Sequence, residues 1–306
     1  MKQLLTLILF ILASPAWAQD ENAKKVTGKS GSFTSFIGGV ETSTTPYINT
    51  NTKDSTGTSV YLSPYLDYNH KSGVGLKLKS YALPGGSDPG FFLTTITPYF
   101  ARYDGKILPY ISYTRYIQHD NPSVPYSPIQ NEVYAHIRVK TKIVDPRAGI
   151  DIGFGQDEQN NDESVSDFNA FAGLSKLILV EPKDKGSNSM LGIVPTIQVN
   201  AGTDRYFKYL RTTSYISQNR SVQQMGYGKG RRGQGGSGEP TTTTTETYTL
   251  SEDNEFSISN IEANLHIIYL IGRFSIEPSG SLYFPMRGDD KTPYGYWQLN
   301  LNFWIK

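Results

Sequence analysis

The sequence predicts an all-β protein, a transmembrane up-and-down antiparallel β-barrel of about twelve strands. Three observations carry this expectation. Side-chain class alternates with period 2 through most of the chain, the alternating segments are even in number, and short connections alternate with long ones. Period 2 places one residue class on each face of a strand. Short turns at one end and long loops at the other are the pattern of a membrane barrel, and an even count puts both termini at the short-turn end.

The elements follow in chain order. Residues 1–18 read as a cleaved signal peptide: Lys2 is basic, Leu4 to Ala13 is apolar, and Ala16-Trp17-Ala18 has the small-x-small cleavage pattern. Ten apolar residues are too few for a helix to cross about 30 Å of hydrocarbon. Residues 19–30 are expected to form a short N-terminal periplasmic segment, and 31–306 the barrel. Strands are expected at about 31–41, 58–69, 73–83, 91–103, 106–118, 132–144, 147–156, 166–180, 189–205, 256–270, 273–285 and 294–306. Short connections carry turn chemistry in His70-Lys71-Ser72, Asp104-Gly105, Asp145-Pro146 and Gly272-Arg273. Longer ones fall at 42–57, 84–90, 119–131, 157–165, 206–255 and 286–293. The 206–255 loop is low-complexity, rich in Gly and Thr, and expected to be extracellular.

Hydrogen bonding explains why such a sheet should close. Lipid offers no partner for a free N–H or C=O, so a sheet in a membrane must join its first strand to its last. Alternation then sorts the faces. From Glu132 to Ile143, Glu132, Tyr134, His136, Arg138, Lys140 and Lys142 share one face, and Val133, Ala135, Ile137 and Val139 the other. Asn260, Glu262, Asn264 and His266 oppose Ile261, Ala263, Leu265 and Ile267. Gln298, Asn300 and Asn302 oppose Leu299, Leu301 and Phe303. Tyr61, Tyr65, Tyr99, Tyr103, Tyr110, Tyr113, Tyr116, Tyr294, Tyr296, Trp297 and Trp304 are assigned to interfacial girdles. Pro64, Pro98, Pro109, Pro195 and Pro278 fall inside strands on the lipid face, and are read as bulges or rim sites because proline cannot donate to a ladder.

Composition excludes several chemistries. Without residues 1–18 the chain has 28 basic and 28 acidic residues, so no global field attracts nucleic acid. Cysteine is absent, which rules out disulfides, thiolate metal sites and thiol catalysis. Gly228-Lys-Gly-Arg-Arg-Gly233 matches a dinucleotide-loop pattern, but no helix follows it. No nucleophile–base pair is nominated, so no enzyme activity, metal or cofactor is expected.

The leader, the alternating segments and the closing stretch from Tyr294 to Lys306 together resemble Gram-negative outer-membrane β-barrels. The Tyr-rich style with proline in strands is similar to uncharacterised barrels of Bacteroidota. The resemblance implies the outer membrane as location. It also implies outer-membrane lipid, lipopolysaccharide and the barrel-assembly machinery as partners. The final residue, Lys306, departs from the aromatic end usual in such barrels, with Phe303 and Trp304 just inside it.

The candidate lumen residues are Lys77, Lys79, His136, Arg138, Lys140, Lys142, Glu262 and His266. As positive tracks they would bias a small channel towards anionic hydrophilic solutes. The alternative is a non-conducting structural or surface-binding barrel. In it the same charges pair internally with Asp67, Asp151, Glu262 and Glu277, since a twelve-strand barrel has a backbone radius of only roughly 12 Å. An integral outer-membrane enzyme is a third, weaker expectation.

Overall fold

The computed structural model describes residues 34–44, 60–85, 89–119, 121, 128–157, 163–180, 189–203, 256–286 and 293–305. The expectations for the leader, for residues 19–30, for the loop 206–255 and for Lys306 lie outside the described residues.

The strand segments in chain order are β1 (Ser35–Thr44), β2 (Val60–Asn69), β3 (Val74–Leu83), β4 (Gly90–Ala101), β5 (Ile107–Gln118), β6 (Ile129–Val139), β7 (Asp145–Asp157), β8 (Glu163–Ser175), β9 (Ile178–Val180), β10 (Ser189–Gly202), β11 (Ser257–Ile271), β12 (Phe274–Pro285) and β13 (Tyr294–Ile305). All pairings are antiparallel. β1 pairs with β13 from Phe36↔Ile305 to Ser43↔Gln298, so the sheet is closed. β8 and β9 both pair with β10 and are two pieces of one wall strand, broken at Lys176 and Leu177. The protein is therefore a closed antiparallel barrel of twelve strands, with no helix among the described residues.

The tight turns sit where turn chemistry places them. Gly73 (φ 93°) and Gly105 (φ 90°) take left-handed backbone, and Gly272 (φ 59°) lies between Ile271 and Phe274, which pair directly. A side chain at such φ is strained, and glycine avoids the strain. One expected turn moves. Asp145-Pro146 is not the turn but the start of β7, and the turn is Lys140 to Val144. The Asp145 carboxylate is the reason: Thr141 N–H donates to its Oδ1 at 2.9 Å, folding the chain back one step earlier.

The strand prolines face outward as expected; four of the five mark ladder gaps and not bulges, while Pro109 stays paired with Ile137 near the short-turn rim. A residue's N–H and C=O point to the same neighbour in an antiparallel pair, so proline weakens one side only. Beside Pro64 the β2–β3 pairing skips from Leu62↔Ala82 to Tyr65↔Lys79. Beside Pro98 the β4–β5 pairing skips from Ile96↔Arg115 to Tyr99↔Ser112. Beside Pro278 it skips from His266↔Ser279 to Tyr269↔Ile276. Pro195 stands against the β8–β9 break, where Lys176 N–H donates to its carbonyl at 3.2 Å. The register shifts lie elsewhere, at Tyr81/Ala82, Ile129/Asn131 and Asn200/Ala201.

The outer wall is apolar: Leu66, Leu78, Ile111, Ile150, Leu265 and Leu301 all stand exposed on it. The buried side chains are inside. They include Glu41, Glu132, Asp151 and Glu262 alongside Tyr61, Tyr81, Tyr116, Tyr134 and Tyr283. This inverts the plan of a water-soluble domain, in which apolar side chains go inside.

Candidate functional site in the barrel interior

The interior is built from tyrosine phenols, carboxylates and two lysines, placed by strand parity. On β1 to β4, Glu41, Asp67, Lys77, Lys79 and Tyr99 all point inward. Lys79 Nζ lies 2.7 Å from Glu41 Oε2, and Tyr61 OH donates to Glu41 Oε1 at 3.2 Å. Lys77 Nζ lies 3.0 Å from Asp67 Oδ2, and Tyr99 OH donates to Asp67 Oδ1 at 2.7 Å. Each carboxylate thus takes an ammonium on one oxygen and a phenol on the other. The lysines also pass over rings, Lys79 at 4.7 Å from the Tyr81 centroid and Lys77 at 5.2 Å from that of Tyr65. Such contacts add attraction once water is removed.

The same phenol–carboxylate pairing recurs around the wall. Tyr116 OH donates to Glu132 Oε2 at 2.5 Å. Tyr283 OH donates to Glu262 Oε1 at 3.2 Å, and Gln198 Nε2 donates to the other Glu262 oxygen at 3.2 Å. His266 Nε2 is 3.4 Å from Glu277 Oε2, while Ser275 Oγ and Asn302 Nδ2 both donate to Glu277 Oε1 at 2.8 Å. A buried charge is tolerated where it is paired or hydrogen-bonded, and each of these carboxylates accepts at least one hydrogen bond.

Two aromatic layers cross this network. Near the long-loop end, Tyr61 meets Tyr81 with ring centroids 5.7 Å apart, and Tyr81 meets Phe92 at 6.0 Å. Nearer the short turns, Tyr99, Tyr110, Tyr134 and Phe171 form a continuous row with centroid separations of 5.8 to 5.9 Å. His136 stacks on Tyr110 at 5.3 Å, and Arg147 lies over Phe171 at 5.2 Å. Glycines make room for the rings. Gly39, Gly75 and Gly149 are the direct cross-strand partners of Tyr65, Tyr99 and Phe171. A Cβ on Gly75 would fall 2.1 Å from Tyr99 Cζ, so the ring lies flat over bare backbone.

The residues expected in the lumen divide. Lys77, Lys79, His136, Arg138, Glu262 and His266 are on inward faces. Lys140 and Lys142 are not: β6 ends at Val139, and both lie in the exposed turn that follows. The alternation of Glu132–Ile143 runs on past the last ladder bond, which is why it overshoots. Asp67 pairs with Lys77 as the internal-charge alternative expected, Glu277 lies instead beside His266, and Glu41, the partner of Lys79, was not anticipated.

The girdle expectation is corrected for most tyrosines. Tyr61, Tyr65, Tyr99, Tyr110 and Tyr116 are buried on the inward face, and Trp304, paired with Ile37, also faces in. Tyr113 and Trp297 do face outward, and Tyr103 is in an exposed turn. The side chains of Tyr294 and Tyr296 lie outside the described set. Parity was the available signal: Tyr61 and Tyr65 share a face with Ser63 and Asp67, opposite Leu62 and Leu66.

No protein-family model matches the sequence, and no curated protein matches it. Among solved structures the chain is similar to a NanC porin, at 7% identity and a TM-score of 0.42 over 88% of this chain and 98% of that one. It is similar to LpxR from Salmonella typhimurium, at 7% identity and 0.39 over 87% and 99%. It is also similar to the outer membrane protein opdK from Pseudomonas aeruginosa, at 6% identity and 0.28 over 89% and 98%. The fold itself stands on the closed strand ladder.

Proposed function

We propose that the chain is an integral outer-membrane β-barrel whose lumen is closed to hydrated solutes, a structural or surface-binding barrel and not a conducting pore. The outward apolar wall supports the membrane setting, because a closed sheet with leucine and isoleucine outside and carboxylates inside is stable only with hydrocarbon around it. Outer-membrane lipid and lipopolysaccharide are then its surroundings, and the barrel-assembly machinery its route of insertion. One observation carries the closed lumen: Glu41, Asp67, Lys77 and Lys79 satisfy one another in sites no more than 7% exposed. Lysines lining a wet anion pathway would remain available to solute; these are spent on neighbouring carboxylates. This favours internal pairing over the anion-selective channel that the lysine spacing also suggested.

Planar-bilayer recording tests this reading. Folded protein, verified by its heat-modifiable migration on SDS gels, should show no unitary steps at any voltage. Reproducible steps with a defined conductance would replace the closed-lumen reading by a channel.

A further inference from the structure

We infer that the outer wall of β3 to β6, just below the long-loop rim, binds the phosphate group of an outer-leaflet glycolipid through Arg115. This rests on the membrane setting proposed above. Among the described strand residues, Arg115 is the only charged side chain on the outward face of the barrel. Every other charge on a described strand points inward or sits at a strand end on the inward parity. A charge on the lipid face costs about 2–4 kcal/mol at mid-membrane and about 0–1 near the interface, so its place along the strand matters. β5 runs from the short turn at Arg102–Lys106 to its end at Gln118, which puts Arg115 in the last third of the strand, on the long-loop side.

The guanidinium is held in place. Arg115 Nη1 donates to Asn131 Oδ1 at 3.0 Å, and Tyr113 OH donates to the same oxygen at 2.6 Å. Asn131 Nδ2 in turn donates to the Phe154 carbonyl at 3.4 Å, tying the group to β7. Among the described residues no carboxylate pairs with Arg115, and Asn131 takes only its Nη1. A guanidinium fork fits phosphate oxygens in bidentate fashion. Above it on the same outward face, His119 Nε2 is 3.0 Å from Thr94 Oγ1, and Thr94 Oγ1 is 3.2 Å from Ser80 Oγ. His119 lies four residues beyond Arg115, about 13 Å along the strand, so the patch presents two hydrogen-bonding centres at the span of a sugar headgroup. Tyr113 adds an exposed ring on the same face, with its hydroxyl turned to Asn131.

The test uses the full chain folded in detergent and three defined lipids: lipid A, the same lipid with its phosphates removed, and phosphatidylglycerol. Binding is read by native mass spectrometry. Lipid A should bind, the dephosphorylated form should bind at least tenfold more weakly, and Arg115→Gln should lose that preference. Arg115→Lys should fall between them, and Arg102→Gln, in the turn at the opposite end, should match the parent protein. Equal retention of both lipid A forms, or an Arg115→Gln protein that keeps the preference, overturns the inference. Phosphatidylglycerol binding with the same Arg115 dependence overturns the assignment to a glycolipid. Heat-modifiable migration of each variant verifies folding. A parent protein that cannot insert into lipid at all counts against the membrane barrel itself, whereas inserted protein without lipid discrimination counts only against this site.

Discussion

Breaking the Lys79–Glu41 pair is the sharpest probe of the interior. At 2.7 Å and an effective dielectric of about 20, Coulomb attraction is about 6 kcal/mol before desolvation is subtracted. Glu41 is fully buried and Lys79 nearly so, with side-chain exposures of 0% and 5%. Among the described residues Lys79→Met leaves Glu41 with the Tyr61 phenol alone, and removing one partner of a buried pair typically costs about 3–5 kcal/mol. Glu41→Gln removes the counter-charge of Lys79 while leaving an amide oxygen and the Tyr81 ring beside it, and should cost less. The double variant Glu41→Gln/Lys79→Met removes both charges and should be restored to within about 1.5 kcal/mol of the parent, because a neutral pair no longer needs solvation. The assay is equilibrium urea unfolding in lipid vesicles, followed by tryptophan emission, completed as a double-mutant cycle. Single-variant losses below about 1 kcal/mol, with no coupling, would mean that water reaches both groups. That result would refute the buried ion pair and the closed lumen together.

Further expectations address other parts of the barrel. Gly75→Ala should lower unfolding stability by about 1–3 kcal/mol in the same assay, since its Cβ would meet the Tyr99 ring and displace the phenol from Asp67. Leu265→Arg, near the middle of β11 on the outward wall, should destabilise the vesicle-inserted protein by about 2–4 kcal/mol, and a neutral outcome would remove hydrocarbon from that face. Lys140→Ala and Lys142→Ala, in the exposed β6–β7 turn, should each stay within about 0.5 kcal/mol of the parent by urea midpoint; larger losses would place them back on the barrel wall.

Much of the architecture is legible in the chain because it is local. Strict alternation in β13, where Gln298, Asn300 and Asn302 lie on the face opposite Leu299, Leu301 and Phe303, states which side is polar without reference to any other strand. Gly73, Gly105 and Gly272 mark turns by backbone chemistry alone. The inward tyrosines were legible too, by parity with Ser63, Asp67, Ser112 and Thr114. Residue type pointed to the interface, and the phenol's need for an acceptor in the interior decided otherwise.

The sequence by itself determined the alternation, the strand count and the sorting of apolar from polar faces, because each depends on neighbours along one strand. Which lysine meets which carboxylate was decided only by the tertiary structure. Glu41 and Lys79 are brought together across β2 by the registers of the β1–β2 and β2–β3 pairings, as Gly75 is set beneath Tyr99 by that of β3 and β4. A one-residue slip in any of these ladders would turn the same side chains to the opposite face. Register is a property of two strands at once, and no single stretch of residues contains it.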